Sequence, residues 1–203
     1  MRSHQPIILA VTGGIACGKS ETGRILSEEG FAVLDTDLLA HNMMKAGTPI
    51  FERVVEHFGK TILRADGEID RTQLGNLVFS DSAARETLNR LVHPALIQAA
   101  EQWKREQPGD AAILVPLLFE AGWTEGWDAI VCVSAEEENI FQRLEKRGLS
   151  EDEAQQRIAA QMPLAEKEAQ ADFIIRNNET LNALRDETLK VIECIRSRGN
   201  EHE

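Results

Sequence analysis

Gly13-Gly14-Ile15-Ala16-Cys17-Gly18-Lys19-Ser20 decides how this chain is read, because its spacing is G-x-x-x-x-G-K-[ST]. Both flanks fit the same reading. Ile7-Ile8-Leu9-Ala10-Val11 is a short apolar run of the kind a buried parallel strand shows. Glu21 to Glu29 carries Gly23, Ile25 and Leu26 and predicts a first helix. Strand, glycine loop and helix arrive in the order that a phosphate-binding loop needs. Gly13 and Gly18 permit backbone conformations that a Cβ would obstruct, so successive N–H groups can turn inward onto phosphate oxygens. The helix that follows presents its positive end to the same anion. Lys19 supplies a mobile charge for the β- and γ-phosphates of a nucleotide, and Ser20 offers its hydroxyl to Mg²⁺. Gly14, Ile15, Ala16, Cys17 and the neighbouring Glu21 complete the expected nucleotide-binding set.

Composition limits the partners. The 203 residues are 42% hydrophobic, enough to bury a sizeable core, and carry a formal net charge of −12. An acidic chain lacks the basic surface on which non-specific nucleic-acid binding runs, though a local basic pocket can still hold a small anion. The three cysteines, Cys17, Cys132 and Cys194, form no C-x-x-C pair, and their odd number argues against a disulfide framework. That points to a reducing cytoplasm. No apolar stretch reaches the ~20 residues that span a bilayer. The N-terminus runs straight into the first strand without a secretory signal. The expected partners are small molecules, with no nucleic acid and no membrane, for a monomer or small homo-oligomer.

Four further apolar runs follow the first: Phe31-Ala32-Val33-Leu34, Ala111 to Phe119, Ala129 to Val133 and Phe173-Ile174-Ile175. Helical stretches alternate with them. The pattern predicts a three-layer α/β fold of the P-loop NTPase type, with a central parallel five-stranded sheet covered on both faces. Pro116 removes a ladder donor, so the third strand is expected to end or bulge there. Ser134-x-x-Glu137 and Ser150-x-x-Glu153 both match the capping box. A final amphipathic helix is expected to turn Leu181, Leu184, Thr188, Val191, Ile192 and Ile195 to one side, with a frayed tail from Arg198 to Glu203. Between the second and third strands lie about seventy residues without a strand signal, far more than a crossover helix needs. The expected organisation is therefore a nucleotide-binding core (1–48, 106–146 and 168–203), a helical acceptor-binding insertion (49–105) and a polar helical lid (147–167).

Two constellations lie outside the loop. Asp35-Thr36-Asp37 follows a strand at the sheet's carboxyl end, where open α/β sheets gather ligands. Alternation along an extended segment would send Asp35 and Asp37 to one side. A carboxylate there can accept a proton from an attacking hydroxyl, hold Mg²⁺ through water, or, at Asp37, cap a helix. Arg143, Arg147, Arg157, Gln161 and Lys167 gather in and before the lid, with Arg157 and Gln161 four apart on one expected helix face. An arginine brought over a nucleotide neutralises charge developing in phosphoryl transfer.

Taken together the chain resembles the dephospho-coenzyme A kinase family. The resemblance rests on Thr12-Gly13-Gly14-Ile15 with Gly18-Lys19-Ser20, Val33-Leu34-Asp35-Thr36-Asp37 with Ala40, Ile69-Asp70-Arg71, Leu74, Val78-Phe79 and His93-Pro94. It continues through Val115-Pro116-Leu117-Leu118-Phe119-Glu120, Arg157-Ile158-Ala159-Ala160-Gln161-Met162-Pro163, Lys167, Ala171-Asp172 and Asn177-Asn178. The resemblance implies transfer of the γ-phosphoryl of ATP to the ribose 3′-hydroxyl of dephospho-coenzyme A. It implies Asp37, Lys19, Arg147 and Arg157 as catalytic residues, and Asp35, Asp37, Arg71, His93, Glu120 and Gln161 on the acceptor's side. His93 either faces the acceptor or is a structural histidine before Pro94. The chain departs from the family at Ala16 and Cys17, where Gly-Ser is usual, and at Glu21, where Thr is common. Cys17 is expected either to be a reactive thiolate in the cradle, favoured by the helix end and Lys19, or a small residue turned into the packing.

The rival readings are another small kinase of this fold and a non-catalytic nucleotide switch. The switch lacks an N-K-x-D guanine-reading motif, since Asn177-Asn178-Glu179 is not one. An ATPase subunit would want an apolar strand ending in Asp, and the longest run ends in Glu120 after an internal proline.

Overall fold

A computed structural model describes residues 6–199, and its elements follow the apolar runs closely. Strands β1 (Ile8–Gly13), β2 (Ala32–Asp35), β3 (Ala111–Leu114), β4 (Ala129–Ser134) and β5 (Phe173–Arg176) form one sheet in the order β2-β3-β1-β4-β5. Every neighbouring pair is parallel, with Ile8 opposite Ala111, Leu9 opposite Ala129, Ala32 opposite Ala111 and Val131 opposite Phe173. All six residues of β4 and all four of β3 are buried. Successive side chains alternate faces, so both sides of the central strands are covered. One side meets helices α1 (Lys19–Glu28), α6 (Glu137–Glu145) and α9 (Leu181–Gly199): Leu9, Val11, Val131 and Val133 join Ile25, Leu26, Ile140, Leu144, Leu184, Ile192 and Ile195 in a single cluster. Helix α8 (Leu164–Gln170) packs on β1 and β4.

By its internal packing the chain forms two compact units. The sheet unit takes the chain up to Asp35 and again from Glu106. The helical unit is Thr36–Arg105 and contains α2 (Thr36–Met43), α3 (Pro49–Phe58), a 3-10 turn (Lys60–Ile62), α4 (Arg71–Ser80) and α5 (Ser82–Arg105). Ile50, Val54, Ile62, Ile69, Leu74 and Val92 are its buried core, with Ala40 and Met43 of α2 packed against them. Thr48 caps α3 by accepting from the Phe51 N–H at 3.2 Å, with Pro49 at the first helical position. Pro94 lies inside α5, which runs on through it.

Some local expectations are corrected and others hold. Ser134 caps no helix: it belongs to β4, and its carbonyl accepts from the Asn177 N–H at 2.8 Å. Helix α6 starts after Glu136, which has no side-chain cap. The Ser150–Glu153 capping box is present in full. β3 stops at Leu114, two residues before Pro116, so most of the long apolar run is turn rather than strand. Leu181 is 64% exposed, because the packing side of α9 begins only at Leu184. Arg198 is still helical, its guanidinium 4.5 Å from the centre of the Phe173 ring, while residues 200–203 of the expected tail lie outside the described residues.

Candidate active site

All five strands point the same way, so their carboxyl ends share one edge, and β1 opens into the phosphate loop there. β1 delivers the chain into the loop at Gly13, and Gly18 caps α1 from the left-handed region at φ 112. Gly13 itself has φ 137, and a Cβ on it would stand 2.0 Å from the Val133 carbonyl oxygen. A Cβ on Gly18 would stand 2.3 Å from Asn177 Nδ2. Both glycines are therefore demanded twice over, by conformation and by space. Between them Ala16 also takes a left-handed conformation, φ 57, where a side chain is disfavoured. The Lys19 ammonium donates to the carbonyls of Gly13 at 2.8 Å and Gly14 at 2.7 Å, folding back across the loop.

Two residues without an assigned role in the sequence reading hold the loop in this shape. Arg143 of α6 donates to the Ala16 carbonyl at 3.1 Å and to the Asn177 carbonyl at 2.7 Å. The buried Asn177 side chain, just past β5, donates from Nδ2 to the Cys17 carbonyl at 2.8 Å. Asn178 locks the same corner, accepting from the Glu136 N–H at 2.7 Å and donating to the Glu136 carboxylate at 3.0 Å. The Ala16 and Cys17 carbonyls of the loop are thus both held by side-chain donors. Arg143 stood among the arginines ahead of the lid and Asn177-Asn178 among the family likenesses. Only the parallel order of β4 and β5 shows that the two share a task.

Of the two readings of Cys17, the structure favours the packed residue over the reactive thiolate. Its side chain is fully buried, and burial pushes the thiol up despite the opposing pull of Lys19 and Arg143. The sulfur lies beneath Gly14, on which a Cβ would come within 2.9 Å of it. The Glu21 carboxylate pairs with Arg24 at 2.6 Å on its own helix, and that hydrogen bond holds it below its ordinary value.

Asp35 is the last residue of β2 and Asp37 lies exposed in the first turn of α2. No extended run carries both to one side, and Asp37 is past the cap position, since the helix opens at Thr36. In the helical unit Arg71 opens α4 and donates to the His41 carbonyl at 3.2 Å, and His93 sits half-buried in α5 ahead of Pro94. Arg157 is in the last turn of α7 (Glu151–Ala159), but Gln161 lies beyond that helix, so the pair does not share a helix face. Arg147 is exposed after α6. Lys167 is no surface lid residue. Its side chain is 0% exposed, 2.8 Å from the Glu120 carboxylate and 2.7 Å from the Pro116 carbonyl. Glu120 also accepts from the Met162 N–H at 2.9 Å, so this carboxylate ties the turn after β3 to the segment leading into α8.

Among the described residues no cluster of three or more His, Cys, Asp or Glu is shaped to hold a metal. Magnesium needs none: it keeps several waters, takes phosphate oxygens and asks one or two hard oxygens of the protein. The exposed Ser20 hydroxyl, in the first turn of α1, is chemistry of that kind. No helix among the described residues is long and apolar enough to cross a membrane.

Comparison with known proteins agrees with this geometry. The dephospho-CoA kinase family model matches residues 7–183. The chain is 43% identical to the dephospho-CoA kinase of Symbiobacterium thermophilum over 88% of its own length and 77% of that protein. It is 41% identical to that of Carboxydothermus hydrogenoformans over 92% and 93%. The solved dephospho-CoA kinase of Campylobacter jejuni superposes with a TM-score of 0.65 at 29% identity, covering 95% of this chain and 98% of that one. A kinase-type phosphate loop, clamped at the carboxyl edge of a parallel five-stranded sheet, thus comes with sequence likeness along nearly the whole chain: it belongs to the dephospho-CoA kinase family.

Proposed function

We propose that the chain transfers the γ-phosphoryl group of ATP to the ribose 3′-hydroxyl of dephospho-CoA, giving CoA and ADP, the last step of CoA synthesis. The observation that carries the reading is the clamped Gly13–Ser20 loop, with the Lys19 ammonium already at its mouth. On binding, the triphosphate replaces the Gly13 and Gly14 carbonyls as the partner of Lys19, and the loop N–H groups take the β-phosphate. The Ser20 hydroxyl would help to hold Mg²⁺, which when bound would supply neutralisation of the phosphate charge. The 3′-oxygen forms its bond to the γ-phosphorus as the bond from that phosphorus to the β–γ bridging oxygen breaks. Asp37 orients the hydroxyl and takes its proton, while Asp35 lies on the acceptor's side.

Arg147 and Arg157 neutralise charge on the transferring group as the 147–167 segment closes, and closure keeps water from consuming ATP. Residues 49–105 grip the acceptor, with Arg71 and His93 toward it, Gln161 approaching it from the closing segment and Glu120 from the turn after β3. The reaction belongs to the cytoplasm and needs no partner beyond its two small substrates.

A coupled ADP-release assay tests this. Dephospho-CoA should be turned over far faster than adenosine, pantetheine phosphate or common nucleosides. Preference for any of those overturns the acceptor assignment. Asp37→Asn should lower kcat much more than it raises the KM for ATP, and Asp35→Asn should do less. A reversed order assigns the proton acceptor to Asp35.

A further inference from the structure

Glu21 is the third residue of α1, and a carboxylate at that position has a competing use. In a capping box, a glutamate third in its helix reaches back to the N–H of the residue before the helix. This chain shows the arrangement at α7, where Glu153 accepts from the Ser150 N–H at 2.8 Å. The same reach at α1 would bring Glu21 to Gly18, which precedes that helix and belongs to the phosphate loop. The positive end of α1 attracts a first-turn carboxylate as it attracts a phosphate. Glu21 is therefore an anion carried by the chain itself, one residue past Ser20, with the same attraction to the cradle as the nucleotide.

In the structure Glu21 does not turn back. One of its carboxylate oxygens accepts from Arg24 twice, from Nε at 3.0 Å and from a terminal nitrogen at 2.6 Å. Two donors of one rigid fork fix the direction of the carboxylate as well as matching its charge. Arg24 is braced in turn. Its other terminal nitrogen meets Glu28, and Glu28 also pairs with Arg185 of α9, which takes Glu29 at 2.8 Å. At α7 the third residue after Glu153 is Gln156, a neutral one, and there the glutamate does turn back. The Arg24 hydrogen bond holds the Glu21 carboxyl below its ordinary value, so it is charged whenever nucleotide is bound near neutral pH. An exposed pair of this kind adds little to folding stability, so its effect belongs with the direction it gives the carboxylate.

We infer that Arg24 is a positioning residue for ATP: by drawing Glu21 toward the next turn of α1, it keeps the chain's own carboxylate out of the phosphate loop. The inference rests on the Gly13–Ser20 loop taking the phosphates of ATP, as proposed above. The test is equilibrium titration with ATP and Mg²⁺, without acceptor, of the wild-type chain, Arg24→Ala, Arg24→Lys, Glu21→Gln and Glu21→Gln/Arg24→Ala. Arg24→Ala should raise the Kd for ATP roughly two- to fivefold, the range of a carboxylate released at a helix N-terminus. The rise should shrink as salt screens the two like charges. Against a Glu21→Gln background the same Arg24→Ala change should leave the Kd where Glu21→Gln puts it, since no charge remains to be withheld. Arg24→Lys keeps a cation three residues along the helix and should stay closer to wild type than Arg24→Ala. An unchanged Kd in Arg24→Ala, or the same rise with and without the Glu21 carboxylate, overturns the inference and leaves the kinase reading in place. A wild-type chain that binds no ATP overturns the kinase reading and this inference with it.

Discussion

Ala16 sits at φ 57 in a loop where Gly13 and Gly18 also have positive φ. The conformation costs a residue with a Cβ about 1–2 kcal/mol. Replacing it by Gly removes that strain, but adds about 0.5–1 kcal/mol of backbone entropy to be lost on folding, and forfeits a buried methyl worth up to ~0.8 kcal/mol. The terms nearly cancel. Ala16→Gly should therefore change unfolding free energy by less than about 1 kcal/mol. Gly18→Ala should abolish ATP binding, because its Cβ would meet Asn177 Nδ2 at 2.3 Å in a backbone that resists a side chain. Denaturant unfolding and nucleotide titration of the two variants check this, and equal behaviour would defeat it. The cysteines give a second contrast. Cys17 and Cys132 are buried, and burial, then Glu168, pushes the Cys132 thiol up to about 12. Cys194 on α9 is exposed. Mass spectrometry after brief alkylation at about pH 8, near the ordinary thiol range, should find Cys194 modified first and the other two only on unfolding. Early labelling of Cys17 would mean that its sulfur faces the cradle after all. The loop pattern made the phosphate site legible from these residues, but not which way Cys17 turns. That depends on Gly14 leaving room beneath it and on Ala135 at the end of a strand far along the chain.

The strands were legible at the level of elements because a parallel sheet buried on both faces leaves uninterrupted apolar runs, and β1 to β5 each begin within a residue of one. Signals that compete with tertiary pairing read less well. Ser134 has the spacing of a helix cap, yet the sheet claims it, since its register with Arg176 aims its carbonyl at the Asn177 N–H. Lys167 lies among polar residues and reads as surface, but the turn after β3 supplies Glu120 and the Pro116 carbonyl to a buried ammonium. No local pattern announces a partner some fifty residues away. The corner after β5 is the element on which the site most depends. Asn177→Ala removes the donor to the Cys17 carbonyl and leaves that buried acceptor unsatisfied, a loss of about 1–3 kcal/mol. It should also raise the KM for ATP severalfold, because the freed carbonyl can rotate toward the phosphates. Asn177→Asp, which sets a carboxylate against that carbonyl and near the triphosphate, should impair ATP binding more than Asn177→Ala does. Denaturation midpoints alongside ATP KM values decide it. An unchanged KM in both variants would reduce Asn177 to a packing residue.

At the scale of the whole molecule the chain divides into a sheet unit and a helical unit. The sheet unit carries the loop, Arg143 and Asn177, and the helical unit carries a cavity lined by His41, Lys45, Arg64, Glu68, Asp70 and Arg71. The sequence announced the helical stretch by its length, about seventy residues without a strand signal, and by helical patterns over 50–58 and 82–105 that match α3 and α5. The resemblance put Arg71 and His93 on the acceptor's side, but no local pattern told that α2, the turn before α4 and α4 itself come together around Arg71. A ligand that binds only the native state stabilises it by mass action, about 2.7 kcal/mol at a hundred times its Kd. For a chain of this size that is a rise of roughly 5–10 °C in Tm. A non-hydrolysable ATP analogue should produce such a shift, and Lys19→Ala should remove most of it. The protection should also be local, since proteins open in cooperative pieces. In hydrogen exchange, the analogue alone should slow amides of the loop, of α1 and of the connections after β4 and β5. It should leave the cavity-lining turn at 64–72 nearly unchanged. Adding dephospho-CoA should then slow that turn. If the ATP analogue alone protects 64–72 as strongly as it protects the loop, that turn is not specific to the acceptor, and its assignment to the acceptor's side fails.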